Sequence, residues 1–240
     1  SRYKMKLAIM QPYFLPYMGY FQLMNMVDEF VVYDDIQFSK KSWIHRNRIL
    51  ISGKPGYVTL PLKKDSDYCD IKDRCLAENW GAESKKLVNR IRAAYLKAPY
   101  FKEIMPIVEH CLNYEPENLY EFVLNSLSVI SGYLELTTPI IVSSSLCLDR
   151  SLKSESRVID ICRSRSAVTY VNPIGGFELY NPITFKKADL ELRFLRKKDY
   201  TYPQAGGSFV ENLSIVDELM YNHKDQVIEN MDDQFSIIAR

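Results

Sequence analysis

The chain has 240 residues, with 31 Lys and Arg against 30 Asp and Glu and a formal net charge of +1. This balance gives no overall field for DNA or an acidic membrane, so we expect no DNA partner and a small, partly polar ligand. Five cysteines without a C-x-x-C pair argue against a disulfide framework and a metal site. Because no apolar run is long enough for a membrane span, we expect a cytoplasmic protein.

Short apolar runs alternate with helical patterns, which predicts an α/β fold with a mostly parallel, Rossmann-like sheet and flanking helices. The predicted strands cover residues 7–10, 30–33, 139–143, 168–171 and 190–195. A helix over residues 154–165 lies between the third and fourth strands, as a parallel crossover requires. A local β-hairpin is predicted over residues 48–62, where two apolar runs flank Ser52-Gly53-Lys54-Pro55-Gly56.

Between residues 82 and 135 the apolar residues fall at helical spacing, and Pro99 and Pro116 divide this stretch into three helices. We expect one α/β domain over residues 1–240, with a helical insertion at about 82–135 packed on the sheet. A separable helical subdomain is the alternative. A last helix is predicted from Ser214, whose surroundings have the form of a capping box.

The loop after the first strand is the most informative segment for function. It leads into an apolar helix, whose N-terminal backbone donors and partial positive charge favour phosphate. The candidate ligand-binding residues of this loop are Gln11, Pro12, Tyr13, Tyr17, Gly19 and Tyr20. The alternative is a turn shaped by proline and glycine, with Tyr20 in the core.

Asp34 and Asp35 follow the second predicted strand, and ligands gather at the carboxyl ends of parallel strands. Alternation along the extended chain lets at most one carboxylate face a cleft. We take Asp35 as a candidate general base, and Asp34 and Gln37 as candidate substrate contacts. An Asx-turn or cap is the structural alternative.

A third candidate segment precedes the hairpin and contains Trp43, His45, Arg46, Asn47 and Arg48. Arginine is suited to bidentate contacts with phosphate, tryptophan can stack on a sugar or base, and histidine is a candidate base. If the segment is extended, Trp43, His45 and Asn47 share one face, and Arg46 and Arg48 lie on the other. Core packing with structural ion pairs is the alternative.

Two later loops also follow predicted strands. Asn172, Gly175 and Gly176 come after the fourth strand, where glycine permits close backbone approach. Tyr202 and Gln204 come after the last predicted strand. They are candidates for a third wall of the ligand-binding site or for a mobile lid over it. Ordinary turn chemistry and a flexible tail are the respective alternatives.

These segments resemble the WbqC-like family across nearly the whole chain and in order. The residues that carry the resemblance are Ile9 to Phe21, Asp34-Asp35-Ile36-Gln37-Phe38, Trp43 to Arg48, Tyr57-Val58-Thr59-Leu60-Pro61, Asn172 to Gly176, and Leu213-Ser214-Ile215-Val216-Asp217. The resemblance implies a role in bacterial surface polysaccharide (O-antigen or capsule) biosynthesis. It also implies aminoacyl or acyl transfer to the amine of a nucleotide-linked amino sugar, from a donor whose carrier, like any cofactor, the sequence does not identify.

The leading hypothesis is therefore direct transfer in a ternary complex, with arginines on phosphate and Asp35 or His45 deprotonating the amine. Gln11, Asn47 and Asn172 would orient carbonyl or hydroxyl groups by hydrogen bonding. A second hypothesis is nucleotidylyl transfer or ATP-dependent activation, because Tyr17-Met18-Gly19-Tyr20 stands where nucleotidylyltransferases have His-x-Gly-His. Both histidines are missing here. The third hypothesis is a non-catalytic protein that binds a glycan precursor or a partner enzyme.

Overall fold

The computed structural model describes residues 4–146 and 148–240 of the chain. Eight strands are present in this part: β1 (Lys6–Met10), β2 (Glu29–Val32), β3 (Arg46–Ile51), β4 (Lys54–Thr59), β5 (Ile140–Val142), β6 (Thr169–Pro173), β7 (Glu191–Lys197) and β8 (Phe235–Ala239). Strands β3 and β4 form a separate antiparallel hairpin. The other six strands form one sheet in the order β5-β2-β1-β6-β7-β8.

All strands of this sheet are parallel to their neighbours except β8, which runs antiparallel to β7. Numbered along the chain, the order is third, second, first, fourth, fifth, sixth, which is the Rossmann order. The direction of winding reverses between β1 and β6. The segments that follow these two strands therefore run in opposite directions and leave a crevice between them. The predicted parallel, Rossmann-like sheet is confirmed; β8 was not predicted.

Eight helices surround the strands in the described part: α1 (Met18–Met26), α2 (Trp80–Tyr95), α3 (Phe101–Leu112), α4 (Leu119–Tyr133), α5 (Ser154–Ser164), α6 (Pro182–Lys187), α7 (Ile215–Tyr221) and α8 (Lys224–Asp233). Helices α2, α3 and α4 lie where three helices were predicted, with Pro99 and Pro116 between them. Helices α5 and α7 match the two other predictions, and Ser214 Oγ accepts a hydrogen bond from Val216 N, as an N-cap does.

Side chains of the sheet alternate between two cores, as the period of two along a strand requires. Leu7 and Ile9 of β1 pack into a core with α5 and α6, whereas Ala8 between them packs into a larger core on the other face. The larger core also contains apolar residues of α1, α7, α8, the hairpin and the three inserted helices. Layers of helix therefore cover both faces of the sheet.

The hairpin turn is tighter than predicted. Only Ser52 and Gly53 form the turn, with φ values of 50° and 77°, and pairing resumes at once with Ile51 opposite Lys54. Two consecutive residues with positive φ suit the right-handed twist of a two-residue hairpin. Lys54, Pro55 and Gly56 thus belong to β4, where Pro55 is tolerated because the hairpin has only two strands.

Among the described residues, every helix falls short of the length and apolar character needed to cross a bilayer.

Candidate functional site at the switch point of the sheet

A pocket of about 390 Å³ lies where the winding of the sheet reverses. Met10, the last residue of β1, and Pro173, the last residue of β6, form its floor. The other lining residues come from the first loop, the hairpin and the segment before α7; they are Tyr13, Pro16, Tyr17, Trp43, Asn47, Arg48 and Asn212. We call this the switch-point pocket. Crevices of this kind, outside the carboxyl ends of strands, are where open α/β sheets bind ligands.

The first loop is fixed to the hairpin through its backbone. Phe14 N donates to Trp43 O over 3.0 Å, and Asn47 Nδ2 donates to Phe14 O over 3.0 Å. Pro16 O accepts from the amide that opens α7, Ile215 N, over 2.8 Å. Asn47 is therefore a positioning residue as well as part of the pocket wall, because its amide connects the two segments that carry the other walls.

Leu15 has a strained backbone at the centre of this loop. Its φ is 42° although its side chain is buried and Pro16 follows it. A left-handed conformation costs a non-glycine residue roughly 1–2 kcal/mol, and a residue before proline favours the extended region instead. Such strain persists only where the surroundings determine the conformation, and it is common at ligand sites.

The residues predicted from this loop differ in whether they reach the pocket. Tyr17 lines it and lies over the first turn of α1, where a Cβ on Gly19 would come within 2.5 Å of the Tyr17 ring. Tyr20 is 1% exposed, and its hydroxyl donates to Gln11 O over 2.8 Å. Gln11 directly follows the pocket residue Met10, and Pro12 is buried.

Two arginines and two aromatic rings form a stacked group at the mouth of the pocket. The Trp43 and Tyr57 rings lie 6.1 Å apart at 16°, and the Arg46 guanidinium lies 5.0 Å from the Tyr57 ring. The Arg48 guanidinium is 5.8 Å from the Trp43 ring. Within residues 4–146 and 148–240, neither arginine is paired with a carboxylate. The group thus offers positive charge beside flat apolar surfaces.

The predicted faces of this segment hold from Arg46 to Arg48, where the chain is extended, but not for Trp43. Trp43 was expected to share a face with His45 and Asn47, but it contacts both arginines. The reason is that the chain turns through residues 40–45 and becomes extended only at Arg46, so alternation cannot be counted from Trp43.

Arg48 is the only charged residue among the described pocket walls. Its Nη2 lies 3.4 Å from Asn212 O, and its backbone O accepts from Ser214 N over 2.8 Å. Arg48 Nε is shielded from solvent and has no hydrogen-bond partner among the described residues. Arg74 Nε and Arg157 Nε share this state. Arg48 differs from Arg157 in that no described carboxylate pairs with its charge, and it lines the pocket.

Asp34 and Asp35 form a separate group that we call the carboxylate cluster, together with Ser143, Ser144 and Arg157. The Asp34 carboxylate accepts from Ser143 Oγ at 3.0 Å, Ser144 N at 2.9 Å and Ser144 Oγ at 2.6 Å. Asp35 Oδ1 accepts from Arg157 Nη2 over 2.6 Å and contacts Ser143 Oγ. Each carboxylate is therefore hydrogen-bonded within the protein.

The surroundings of Asp35 do not match those of a general base. Its side chain is only 5% exposed and does not line the switch-point pocket. Burial by itself would raise the pKa of Asp35, but the hydrogen bonds from Ser143 and Arg157 outweigh burial and lower the pKa below its usual value. A carboxylate with a lowered pKa is a weaker base.

His45 also lies outside the pocket. Its ring packs edge-on against Phe38 at 5.2 Å and is 8% exposed. Burial, followed by the nearby charges of Arg46, Arg74 and Lys40, lowers the pKa of His45 from 6.5 to about 4. The imidazole is consequently neutral at physiological pH, and its Nδ1 has no partner among the described residues.

The loop after β6 is arranged around a side-chain amide. Asn172 Nδ2 donates to the Tyr170 hydroxyl over 2.7 Å, and a Cβ on Gly176 would collide with Asn172 Oδ1. Gly176 is thus required for close approach, whereas Gly175 has open space beside it. These three predicted residues do not line the pocket, although the next residue after Asn172, Pro173, does.

The segment 198–214 between β7 and α7, which we call the strap, contains Tyr202 and Gln204. Both side chains donate to Asp217 Oδ2, over 2.6 Å and 2.7 Å, and the Tyr95 hydroxyl donates to Asp217 Oδ1 over 2.8 Å. Asp217 is fully buried, so these bonds fix the strap to α7. The inward donors of Tyr202 and Gln204 serve this structural contact.

The strap also touches the tip of the hairpin through two glycines. A Cβ added to Gly206 would lie 2.7 Å from Gly53 Cα, and both residues have positive φ. The hairpin wall with Arg48 and the strap wall with Asn212 are therefore joined by direct backbone contact. Gln37 is distant from this arrangement: it is exposed, and its Nε2 donates to Asp67 O over 3.0 Å.

Sequence reasoning missed several residues of both groups. The predicted fourth strand stopped two residues before Pro173, and Met10 was counted only as strand, although strand ends at a switch point are a usable signal. The run Ser143-Ser144 directly after a predicted strand was another such signal. Nothing local marks Arg157 or Asn212, which reach their groups through tertiary packing.

The described residues contain no group of three or more His, Cys, Asp or Glu side chains arranged to hold a metal ion.

A doubly wound sheet with a pocket at its switch point defines this protein as a Rossmann-like α/β protein with a pocket between the ends of β1 and β6. More specifically, the chain belongs to the WbqC-like protein family, whose model matches residues 11–229. It is 27% identical over 221 residues to an uncharacterized protein of Mycobacterium tuberculosis, Rv1507c, covering 90% of this chain and 93% of that protein. No solved structure matches.

Proposed function

We propose that this protein is a transferase of bacterial surface polysaccharide biosynthesis that binds a nucleotide-linked amino sugar in the switch-point pocket. In this reaction the sugar amine attacks the carbonyl carbon of an acyl or aminoacyl donor, an amide bond forms, the bond between the carbonyl and the carrier breaks, and the leaving carrier takes up the proton that the amine releases. The observation that carries the proposal is the pocket itself, which combines Arg48, three aromatic side chains and two asparagines at the end of β1.

Arg48 is the residue that we assign to the diphosphate. Its guanidinium presents a fork of donors suited to phosphate oxygens, and its charge is paired with no carboxylate among the described residues. The N-terminus of α1 adds partial positive charge beside Tyr17, the residue that precedes the helix. Among the described residues, the pocket walls include no carboxylate to repel an anion.

The aromatic walls suit the flat parts of such a ligand. Tyr13, Tyr17 and Trp43 present rings to the pocket, and rings of this kind stack on bases and on the apolar faces of sugars. Asn47 and Asn212 are the amide-bearing walls, although Asn47 Nδ2 is already engaged with Phe14 O. Asn212 is therefore the side chain available to select among sugar hydroxyl groups.

Direct attack by the amine fits the chemistry of the walls better than a covalent enzyme intermediate. No serine or cysteine is among the described lining residues. Burial raises the pKa of both the Tyr13 and the Tyr17 hydroxyls, so neither ionises readily at neutral pH. An acyl-enzyme trapped with a labelled donor would contradict this step.

A second candidate is a non-catalytic protein that binds a glycan precursor. It is favoured by one specific observation: Asp35 and His45, the two candidate bases, are both buried outside the pocket. Under this alternative the ligand and its contacts are unchanged, but no group is transferred.

Ligand-induced thermal stabilisation tests the binding step. We expect a uridine-, thymidine- or guanosine-diphosphate amino sugar to raise the melting temperature, because a ligand at 100 times its Kd stabilises by about 2.7 kcal/mol. Arg48→Ala removes a charge-assisted contact worth about 1.5–3 kcal/mol and weakens Kd about 10- to 150-fold. Arg90→Ala, on the exposed surface of α2, is the matched control and leaves Kd unchanged.

Each outcome of this series decides between the alternatives. Stabilisation by ATP or CTP with magnesium, but by no diphosphate sugar, would replace the proposal with nucleotidylyl transfer or ATP-dependent activation. Binding of the sugar together with acylated product, detected by mass spectrometry in the presence of coenzyme A thioesters or amino acids with ATP, supports the transferase. Binding without product from any donor class supports the non-catalytic alternative.

A further inference from the structure

The outer edge of β8 differs from the other edge of the sheet. Strand β5, at the opposite edge, is only three residues long, and a very short strand presents few unpaired backbone groups with which another strand could pair. Strand β8 has five residues, Phe235-Ser236-Ile237-Ile238-Ala239, and contains no charge, proline or lysine. No strand covers its outer side among the described residues. It therefore lacks the features by which edge strands usually avoid pairing.

Exposed apolar side chains are concentrated beside this edge. Ile237 is 39% exposed, and Leu179 and Ile183 at the neighbouring α6 are 76% and 61% exposed. Arg240, which follows β8, donates to Tyr180 O over 2.9 Å and lines a groove with Ile183. Ile238 packs into the core that contains α6, so Ile237 points to the opposite face of the sheet, the face of Phe235. Exposed apolar side chains thus lie on both faces near this edge.

The register of β8 shows which of its backbone groups point outward. Lys198 N donates to Gln234 O over 2.9 Å, and Phe194 and Arg196 oppose Ile238 and Ser236. In an antiparallel ladder, alternate residues exchange hydrogen bonds with the same neighbour. Even-numbered residues of β8 therefore bond to β7, and the N–H and C=O groups of residues 235, 237 and 239 point away from the sheet.

We propose that a second copy of this chain pairs with β8 across a two-fold axis at Ile237, so that the two sheets become continuous. This register pairs all five residues of the strand, with Ile237 opposite Ile237 and Phe235 opposite Ala239. The outward groups of residues 235, 237 and 239 then meet the same groups of the second copy, as an isologous interface requires. The proposal does not depend on the function assigned to the pocket.

The charges at the two ends of β8 favour this antiparallel arrangement. Asp232 and Asp233 precede the strand and Arg240 follows it. Two-fold pairing places Arg240 of each copy opposite Gln234 of the other and keeps the Asp232-Asp233 ends of the two copies apart. Arg240 itself already pairs with Glu178 of its own chain over 3.5 Å. Parallel pairing of two copies would instead place like charges together at both ends.

The first test is the mass of the full chain in solution, measured by size-exclusion chromatography with light scattering. We expect wild type at twice the chain mass and Ile237→Lys at the chain mass, because two lysines would directly oppose each other. Leu96→Lys is the matched control, since Leu96 is 59% exposed at the end of α2 and far from β8 in the fold; it stays dimeric. A monomeric wild type at every soluble concentration, or a dimeric Ile237→Lys, overturns the proposal.

A second variant decides the matter even if Ile237→Lys folds poorly. Residues that directly oppose each other in a hydrogen-bonded pair have Cα atoms about 5.5 Å apart, which is within the range that a disulfide spans. We expect Ile237→Cys to form a covalent dimer under mild oxidation, whereas Leu96→Cys and wild type with its native cysteines do not. Equal crosslinking of all three proteins overturns the assigned axis.

Discussion

The switch-point pocket and the carboxylate cluster both lie at the carboxyl ends of the parallel strands, but they differ in what their polar groups contact. Asp34 and Asp35 are bonded to Ser143, Ser144 and Arg157. Arg48, in the pocket, is paired with no carboxylate among the described residues. A position after a parallel strand therefore does not by itself make a charged residue part of a binding site. What separates the two groups is whether the charge is already paired with an opposite charge of the same chain.

The largest effect that would test this comparison is the loss of Arg157. Arg157→Ala leaves Asp35 buried without its cation, and we expect the free energy of unfolding to fall by about 3–5 kcal/mol in urea denaturation. Arg165→Ala is the matched control, because Arg165 pairs with Glu29 but its side chain is 37% exposed; a loss of about 1 kcal/mol or less is expected.

A double variant sharpens the same prediction. Replacing the pair together, with Arg157→Met and Asp35→Leu, removes both buried charges and restores most of the lost stability. If Arg157→Ala costs no more than Arg165→Ala, the carboxylate cluster is not a structural group, and Asp35 returns as a candidate for catalysis.

A smaller effect is expected from Ser143, whose hydroxyl lies between the two carboxylates. Ser143→Ala removes a hydrogen bond to a charged, buried acceptor, and we expect a loss of roughly 1–3 kcal/mol with no change in ligand affinity of the pocket. The control is Ser145→Ala at an exposed position, where Oγ bonds Val142 O; its change stays within about 0.5 kcal/mol. Weakened binding of the diphosphate sugar by Ser143→Ala would show that the two groups act together.

The last effect is confined to acidic pH and concerns His45, which is next to the pocket in sequence but faces the core. Its folded pKa of about 4 lies below the ordinary 6.5, so the unfolded chain binds the proton more readily. The stability that this histidine contributes is complete above pH 6.5 and is lost as the pH falls towards 4. Thermal melts between these values should show a weaker acid sensitivity in His45→Gln than in wild type.

The exposed His110 provides the control for that measurement. His110→Gln should keep the wild-type pH dependence. Identical pH profiles for wild type and both variants would mean that the imidazole of His45 is accessible, and it would then be a candidate for proton transfer at the pocket.

Much of the fold could be predicted because it depends on local patterns. Apolar runs of four to six residues identified the five parallel strands, and Pro99 and Pro116 separated the inserted helices. Strand β8 was missed because its sequence follows directly on α8 and its pairing with β7 is antiparallel, which no alternation of strand and helix indicates. The tight hairpin turn was missed because Ser52 adopts positive φ without being glycine or asparagine.

The candidate site was predictable only as a set of segments. Tyr13, Tyr17, Trp43, Asn47 and Arg48 do meet in one pocket. The side-chain directions of the remaining candidates depend on distant partners. Tyr202 and Gln204 turn inward because Asp217, thirteen or more residues later, accepts their hydrogen bonds. No pattern within the strap indicates that contact.

The contact between Gly53 and Gly206 has a consequence for engineering this protein. Both glycines have positive φ; a Cβ on Gly206 would lie 2.7 Å from Gly53 Cα, and a Cβ on Gly53 would lie 3.3 Å from Gly206 Cα. An alanine at either position would push the hairpin tip away from the strap and separate Arg48 from Asn212 without touching the pocket. We therefore expect substitutions at these two positions, Gly206 above all, to change the width of the pocket while its lining residues stay the same.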